Sequence, residues 1–463
     1  MHAKDPQQDL DKRSAGQEQA WPRPLYAWFV VGVLMLAYMN SFIDRQILSL
    51  LVEPIRRDLG VTDTQVSLLA GLAFSIFYTL MGVPLARLAD QSHRRNIIAV
   101  GIGSWSVMTA MCGAAQNFWQ LFLARIGVGV GEAALSPAAF SMIADYFPKQ
   151  RLARAISVYS MGVYLGAGLA LMIGGIVISM VSKLPPVELP LVGSVYSWQL
   201  TFLFVGFLGL PILLLVFLIR EPVRRGDARD VDGSDGASFT ELKVFLRANR
   251  WTVIWHFAAY SFIGIGIITY LTWAPTLFIR TYGWDAPKVG LIYGALTFVL
   301  GTAGVYTGGF VADWLHRRGH PDAILRATLY GGIVALPVAV ATPLAPNENL
   351  AVVGLAFTTF LLAYPQGLPA AALQVIAPNR LRAQMTALYF LVGNLVALGL
   401  GPTIVALVTD YGFGDPMMLR YSMAIVCGVA IPLGIVSVYL SLKPYRASVA
   451  RAEAADEAAS ASV

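Results

Sequence analysis

Four ionisable side chains lie within segments that are otherwise strongly apolar. Asp44 and Arg45 are neighbours in the first such segment, and Arg125 and Glu132 are seven residues apart in a later one. If these segments cross a membrane, each charge costs at least about 2.5–3.5 kcal/mol, so each residue is a functional candidate. A low dielectric favours the protonated form of a carboxyl group, and a nearby guanidinium favours the ionised form. Two carboxylates and two arginines therefore predict a site that binds and releases protons.

The composition requires a membrane to accommodate the apolar segments. Of the 463 residues, 57% are hydrophobic and 13% are charged, whereas a typical soluble domain is about 25% charged. The chain is long enough for twelve spans of about 20–25 residues. This composition excludes a soluble enzyme, a disordered protein and a disulfide scaffold. Both cysteines lie in apolar runs and are expected to be free and buried.

Short polar breaks separate the apolar segments. Twelve helices are expected at roughly 26–52, 63–88, 96–115, 118–146, 153–181, 198–220, 251–280, 288–314, 323–342, 349–376, 383–409 and 418–442. Of the 33 Lys and Arg residues, 25 lie in the tails and loops of one side, six lie on the other side and two lie within helices. This bias predicts that both termini are cytoplasmic. The net charge of +6 thus reflects topology, and no nucleic-acid partner is expected.

A polar stretch near the midpoint divides the chain into two halves. The predicted units are a cytoplasmic tail, a six-helix bundle, a cytoplasmic loop, a second six-helix bundle and a second tail, at 1–24, 25–220, 221–249, 250–443 and 444–463. The second tail is rich in Ala, Ser and Glu, and it is expected to be disordered from Ala447 onward.

A seven-residue pattern occurs once in each half. Ala-Asp-x-x-His-Arg-Arg occupies 89–95, after the second predicted helix, and 312–318, after the eighth. A repeat at the same helix index predicts two homologous six-helix bundles with a substrate site between them. The expected fold is therefore all-α, with twelve transmembrane helices in two pseudo-symmetric bundles.

The repeated loop resembles the signature of the major facilitator superfamily, Gly-x-x-x-Asp-Arg-x-Gly-Arg-Arg. The second copy keeps the glycine and the aspartate at Gly309 and Asp313, whereas the first has Ala86 and Gln91 where the signature has Gly and Arg. The resemblance implies the major facilitator fold and secondary transport by alternating access. Cytoplasmic charges then have a gating role, or else they only cap loop ends. The candidates for gating are Asp90, Arg94, Arg95, Asp145, Arg154, Asp313, Arg317 and Arg318.

Two helices narrow the resemblance within that superfamily. The first carries Asn40 followed by Asp44-Arg45, and the fourth carries Arg-Ile-Gly-Val-Gly-Val-Gly-Glu-Ala at 125–133. This is similar to the spinster branch, whose members carry Asn-x-x-x-Asp-Arg and Arg-x-x-Gly-x-Gly-Glu-Ala. The resemblance implies an amphipathic, anionic, lipid-like substrate such as a lysophospholipid or sphingosine-1-phosphate.

The rise per residue gives the depth of each membrane charge. Asp44 and Arg125 both lie about 10 Å from the outer ends of their helices, and Glu132 lies about 10 Å deeper on the same face as Arg125. We expect one network in which Asp44, or alternatively Glu132, carries the coupling proton. A static ion-pair network that fixes helix packing is the other interpretation. Arg45 either binds an anionic head group or neutralises a carboxylate.

Aromatic and amide side chains dominate the candidates in the second half, which suits an amphipathic substrate with its tail on that side. Ordinary packing is the alternative for each of them. The predicted substrate-binding residues are Arg45, Asn40, Tyr270, Trp273, Tyr364, Gln366, Tyr389 and Asn394.

Other functions have less support from the sequence. A proton-coupled symporter of a small organic anion or sugar acid remains open, as does a drug exporter. The five histidines have no metal-ligand spacing, and neither a catalytic triad nor a phosphate-binding loop is evident, so no enzyme, metal or cofactor is expected. The expected partners are the bilayer, a small amphipathic substrate and protons, for a monomer in the cell (inner) membrane.

Overall fold

The computed structural model describes residues 21–184, 187–189, 193–224 and 239–461, so most of the predicted N-terminal tail lies outside the described residues. Within this part, twelve helices are long and apolar enough to cross a membrane, as predicted. We number them spans 1 to 12: Pro24–Leu50, Asp63–Ala89, Arg94–Gly113, Phe118–Tyr146, Arg154–Val181, Ser197–Phe217, Arg250–Tyr282, Ala286–Arg317, Ala323–Leu344, Glu348–Ile376, Gln384–Phe413 and Pro416–Ala454.

The two copies of the repeated pattern lie at the ends of spans 2 and 8, and therefore on the same side of the bundle. We call this the motif side and the opposite one the far side. On the far side, short polar residues begin the helices. Thr62 and Gln65 form a capping box at span 2, and the side chains of Asn117 and Asn347 accept backbone hydrogen bonds at the starts of spans 4 and 10. Each cap satisfies N–H groups that the helix itself leaves free.

Several short elements lie between the spans. The helix Val52–Leu59 follows span 1, and the helix Phe239–Ala248 lies within the predicted central loop. Two short strands, β1 (Val187–Leu189) and β2 (Gly193–Val195), pair antiparallel between spans 5 and 6, with the first residue of β1 opposite the last of β2. The hydropathy pattern does not predict this hairpin.

The last helix corrects the expectation of a disordered C-terminal tail. It runs from Leu419 to Ala461, well past the predicted end of span 12. Ala-rich sequence favours helix, and the extension also packs on the start of span 7. There the Ser448 and Thr252 hydroxyls lie 2.8 Å apart, and Arg451 Nη2 donates to Asn249 Oδ1 at 2.7 Å.

The two halves cross at glycines in close backbone contact. Span 2 departs from regular α-helix at Gly71, where an added Cβ would lie 2.6 Å from a carbonyl oxygen of the π-helix Asn394–Leu400 in span 11. Span 5 meets span 8 in the same way, because a Cβ on Gly168 would lie 2.6 Å from a backbone nitrogen of the π-helix Thr297–Gly301. Only glycine permits such approach, and π-helical turns occur often at functional sites.

Candidate transport site

A cavity of about 270 Å³ lies between the two halves. Among the described residues that line it, only Arg45 carries a charged side chain, and it lies on the N-terminal half. The wall of the C-terminal half is aromatic, amide and aliphatic. The polar and aromatic lining residues include Phe42, Arg45, Gln46, Phe74, Tyr164, Tyr260, Gln366, Tyr389, Phe390 and Asn394.

The cavity face of span 5 continues toward the motif side. Tyr164 lines the cavity, and Met161 and Ser157 follow at helical spacing on the same face. Both are exposed, as is Phe390 on span 11. A run of exposed side chains therefore extends from the cavity wall toward the motif side.

Arg45 forms an ion pair with Glu132 behind the cavity wall. Its Nε and Nη2 lie 2.7 Å and 2.6 Å from the same oxygen, Oε2. The Glu132 side chain is 0% exposed, whereas that of Arg45 is 19% exposed. Arg45 therefore connects a fully buried carboxylate to the space that a substrate would occupy.

Three aromatic rings surround the Arg45 guanidinium. Its Cζ lies 5.0 Å from the ring centre of Phe42, 4.6 Å from that of Phe74 and 4.9 Å from that of Tyr78. Ring faces attract a cation most strongly where water is excluded. The rings therefore stabilise the guanidinium at the cavity wall in addition to its bond to Glu132.

Arg125 lies beside Asp44 but binds its backbone. Arg125 Nη1 donates to the main-chain oxygen of Asp44 at 2.9 Å, and both side chains are buried. Asp44 Oδ1 has no hydrogen-bond partner among the described atoms. The structure thus brings the four membrane charges together, and it pairs Glu132 with Arg45 rather than with Arg125.

Four of the eight predicted substrate-binding residues line the cavity, namely Arg45, Gln366, Tyr389 and Asn394. The other four do not, because their side chains are occupied in packing. Tyr270 donates to Ala339 O at 2.6 Å, and Trp273 Nε1 donates to Pro402 O at 3.0 Å. Tyr364 packs against glycines of spans 8 and 9, and Asn40 is buried against span 6.

Sequence reasoning missed Tyr164, which lines the cavity from span 5. The signal was its helical spacing from Gly168, the glycine that contacts span 8. Tyr164 precedes Gly168 by four residues and so shares its helix face. The sequence alone does not show that this face of span 5 is turned toward the C-terminal half.

On the motif side, the predicted gating residue Arg94 is buried within the N-terminal half. It forms ion pairs with Asp145 and, at 2.8 Å, with Glu221, which follows span 6. The backbone N–H of Arg95 donates to the same Glu221 at 2.9 Å. The exposed Arg154 lies over the ring of Trp28 at 5.8 Å. Glu221 is not among the residues that the sequence predicts to act in gating.

The C-terminal half has a buried anion at the corresponding place. The Asp322 side chain is 0% exposed, and its two oxygens lie 2.7 Å from Arg326 Nε and 3.0 Å from Arg446 Nε. The repeat residues Asp313, Arg317 and Arg318 are instead exposed. The start of span 3 thus buries a cation and the start of span 9 buries an anion. The side chain of Asp90 lies outside the described residues.

The Asp322 pairs give a stability prediction. Asp322→Asn removes the charge that two arginines share, and hydrogen bonds to charged groups contribute about 1.5–3 kcal/mol. We expect a fall of several degrees in the Tm of the purified protein, measured by differential scanning fluorimetry. Asp313→Asn, at an exposed carboxylate, is the matched control and should leave the Tm unchanged. Equal Tm values for the two variants would contradict a stabilising role for Asp322.

A sequence profile of the Major Facilitator Superfamily matches residues 34–402, which extend over most of both halves and include all four membrane charges. The chain belongs to the major facilitator superfamily. Members of this superfamily are transporters and not enzymes, so the protein is a multi-pass transporter of the cell (inner) membrane.

Two relatives illustrate the range of proteins to which the transporter is similar. It is 29% identical over 437 residues to an MFS-type efflux pump of Mycolicibacterium smegmatis, which covers 92% of this chain and 95% of the relative. A probable L-galactonate transporter of Escherichia coli is 27% identical over 299 residues, or 62% of each chain.

A solved structure supports the resemblance to the spinster branch. A bacterial homologue of the human lysosomal transporter Spinster, in an inward-facing and unoccupied conformation, matches with a TM-score of 0.72. It is 25% identical and covers 92% of this chain and 98% of its own. The similarity to spinster proteins predicted from spans 1 and 4 is thereby confirmed.

Proposed function

We propose that this transporter moves an amphipathic anion, such as a lysophospholipid or sphingosine-1-phosphate-like molecule, by proton-coupled alternating access. The observation that carries the proposal is the polarity of the cavity. Arg45 provides a cation on one wall, and Tyr389, Phe390 and aliphatic residues form the other. A guanidinium binds phosphate or carboxylate in two-point fashion, and the opposite wall suits an acyl or sphingoid chain.

The Arg45–Glu132 pair supports proton coupling by charge balance. While Glu132 is ionised, it holds Arg45 and competes with a substrate anion for the guanidinium. Protonation of Glu132 releases Arg45 to the substrate, so that one proton and one anion enter a site whose net charge stays constant. Asp44 is the alternative proton carrier, and Arg125 Nη1 donates to its backbone oxygen.

In this scheme the motif side is cytoplasmic and the structure represents a state open toward the cytoplasm. The basic loops support that orientation, as does the exposed cavity face of span 5. Gating by the motif-side charges then means that they hold each bundle rigid while the two bundles tilt against each other.

A small organic anion is the second candidate. The cavity of about 270 Å³ is compact, and the amides of Gln366 and Asn394 offer hydrogen bonds to hydroxyl groups. The similarity to a probable L-galactonate transporter also favours a sugar acid.

Transport by the purified protein in proteoliposomes tests both candidates. A long-chain lysophosphatidate and galactonate are offered separately, and an internal pH dye records proton movement. We expect lysophosphatidate to enter with protons and to raise the Tm of the protein. Movement of galactonate alone would favour the sugar-acid candidate. Substrate movement without proton movement would contradict the coupling.

A further inference from the structure

A cluster of charged side chains joins the two halves on the far side, away from the cavity. Arg280, near the end of span 7, binds Asp63 at the start of span 2 through two bonds of 2.7 Å, from Nη1 to Oδ2 and from Nη2 to Oδ1. Its Nε donates to Glu53 Oε1 at 2.6 Å. One arginine of the C-terminal half thus binds two carboxylates of the N-terminal half.

A second charged contact crosses the same boundary in the opposite direction. Asp410, at the end of span 11, accepts hydrogen bonds at 2.7 Å from both the backbone N–H and the hydroxyl of Thr64. Thr64 lies in the first turn of span 2, where free N–H groups attract an anion. Each half therefore contributes an anion that the other half binds.

The central pair of the cluster, Arg280 and Asp63, is shielded from water, whereas Glu53 is partly exposed. The Asp63 side chain is 0% exposed and that of Arg280 is 4% exposed, and a buried charge that loses its partner is strongly destabilised. Arg56 also binds Asp63 at 2.9 Å, within the N-terminal half. Asp63 therefore keeps one partner when Arg280 withdraws, and water entering the separated face can hydrate both.

We propose that Glu53, Asp63, Arg280 and Asp410 form a far-side lock that holds this face closed and has to break before the cavity can open toward it. The lock does not depend on the identity of the substrate or of the coupling ion. It differs from a static ion-pair network, because its loss changes the balance between two conformations and not only the resistance to heat.

The ratio of far-side-open to far-side-closed molecules can be measured with pairs of spin labels on the full-length protein. Arg57 and Met417 are exposed on the far side of the two halves, and Ser92 and Arg380 are exposed on the motif side. Both native cysteines are buried and can be replaced to avoid background labelling.

Arg280→Gln is expected to raise the ratio of far-side-open to far-side-closed molecules at least about tenfold. The far-side label distance lengthens, and the motif-side distance shortens in the same molecules. Arg280→Lys keeps the charge but loses the two-point geometry, so its ratio falls between those of Arg280→Gln and the parent protein.

Two further variants keep the test decisive. Asp410→Asn leaves the buried arginine paired, so it folds even where Arg280→Gln does not, and it is expected to move the ratio in the same direction. Lys288→Gln removes an exposed far-side cation that binds Glu348 within one half, and it should leave the distances unchanged. Unchanged distances in both Arg280→Gln and Asp410→Asn would overturn the proposal, as would an equal opening by Lys288→Gln.

Discussion

Glu132→Gln is expected to lower proton-driven accumulation of substrate sharply while leaving substrate exchange largely intact. Glutamine keeps the shape of the side chain but cannot take up a proton, so the guanidinium of Arg45 no longer depends on pH for its release. Coupling free energies between sites are about 1–3 kcal/mol. Accumulation under an imposed pH gradient should therefore fall at least about fivefold. Counterflow at equal pH should change less than accumulation does.

The position of the Arg45–Glu132 pair explains why substitutions at these two residues should affect transport differently. Arg45 can turn to the cavity when Glu132 is neutralised, since its side chain is partly exposed and ringed by aromatic groups. Arg45→Gln instead leaves a fully buried carboxylate without its cation, which costs about 3–5 kcal/mol. We expect Arg45→Gln to lose both accumulation and counterflow.

Asp44→Asn tests which of the two carboxyl groups, Asp44 or Glu132, carries the proton. If Asp44 carries the proton, Asp44→Asn reproduces the loss of accumulation and Glu132→Gln does not. Glu348→Gln, at a surface carboxylate of the other half, is the matched control and should leave uptake unchanged. Undiminished pH dependence in both Asp44→Asn and Glu132→Gln would remove proton coupling from this network.

The positions of the spans and the clustering of the membrane charges could be predicted from sequence. Both follow from strong energetic terms, namely the cost of polar backbone and charge in hydrocarbon and the fixed rise of a helix. The pairing of charges could not be predicted in the same way. Arg45 and Asp44 differ by one position, or about 100° around the helix, and the direction of each side chain depends on how spans 1, 2 and 4 are rotated.

The same limit applies to the aromatic residues. Tyr270 and Tyr389 look equivalent in the sequence, yet one hydroxyl is bound to a carbonyl of span 9 and the other side chain lines the cavity. A buried aromatic side chain can pack well on any face of a helix, so its presence does not show which face lines the cavity. Only the crossing of the two halves decides which faces enclose the cavity.

The unpredicted charged partners have a different cause. Glu221 and Asp322 lie in connecting segments, where a charge costs little and the sequence gives no reason to single them out. Glu221 matters because it binds Arg94, which the folded chain buries. Asp322 matters because its own carboxylate is buried. The extension of the last helix beyond the membrane follows likewise from contacts with span 7.

Gly71→Ala is expected to shift the transporter away from the conformation seen here and to reduce transport about tenfold. The added methyl group would lie 2.6 Å and 2.9 Å from two carbonyl oxygens of span 11, and overpacking typically costs about 1–3 kcal/mol. Backbone atoms cannot turn aside as a side chain can, so spans 2 and 11 have to separate. Span 2 reaches Gly71 about 12 Å from its far-side start. The separation therefore opens the far side, which spin-label distances on that side would record.

Gly82→Ala provides the matched control within the same span. No atom lies within 4 Å of a Cβ built at Gly82, and alanine is favoured over glycine by about 1 kcal/mol within a helix. This variant should keep both the parental distances and the parental transport rate. If Gly71→Ala behaved in the same way, the contact between spans 2 and 11 would not limit closure. If both variants lost transport with unchanged distances, flexibility of span 2 rather than close approach would be the property that transport requires. A change confined to Gly71→Ala identifies backbone contact between spans 2 and 11 as a further requirement for closing the far side, beside the charged lock.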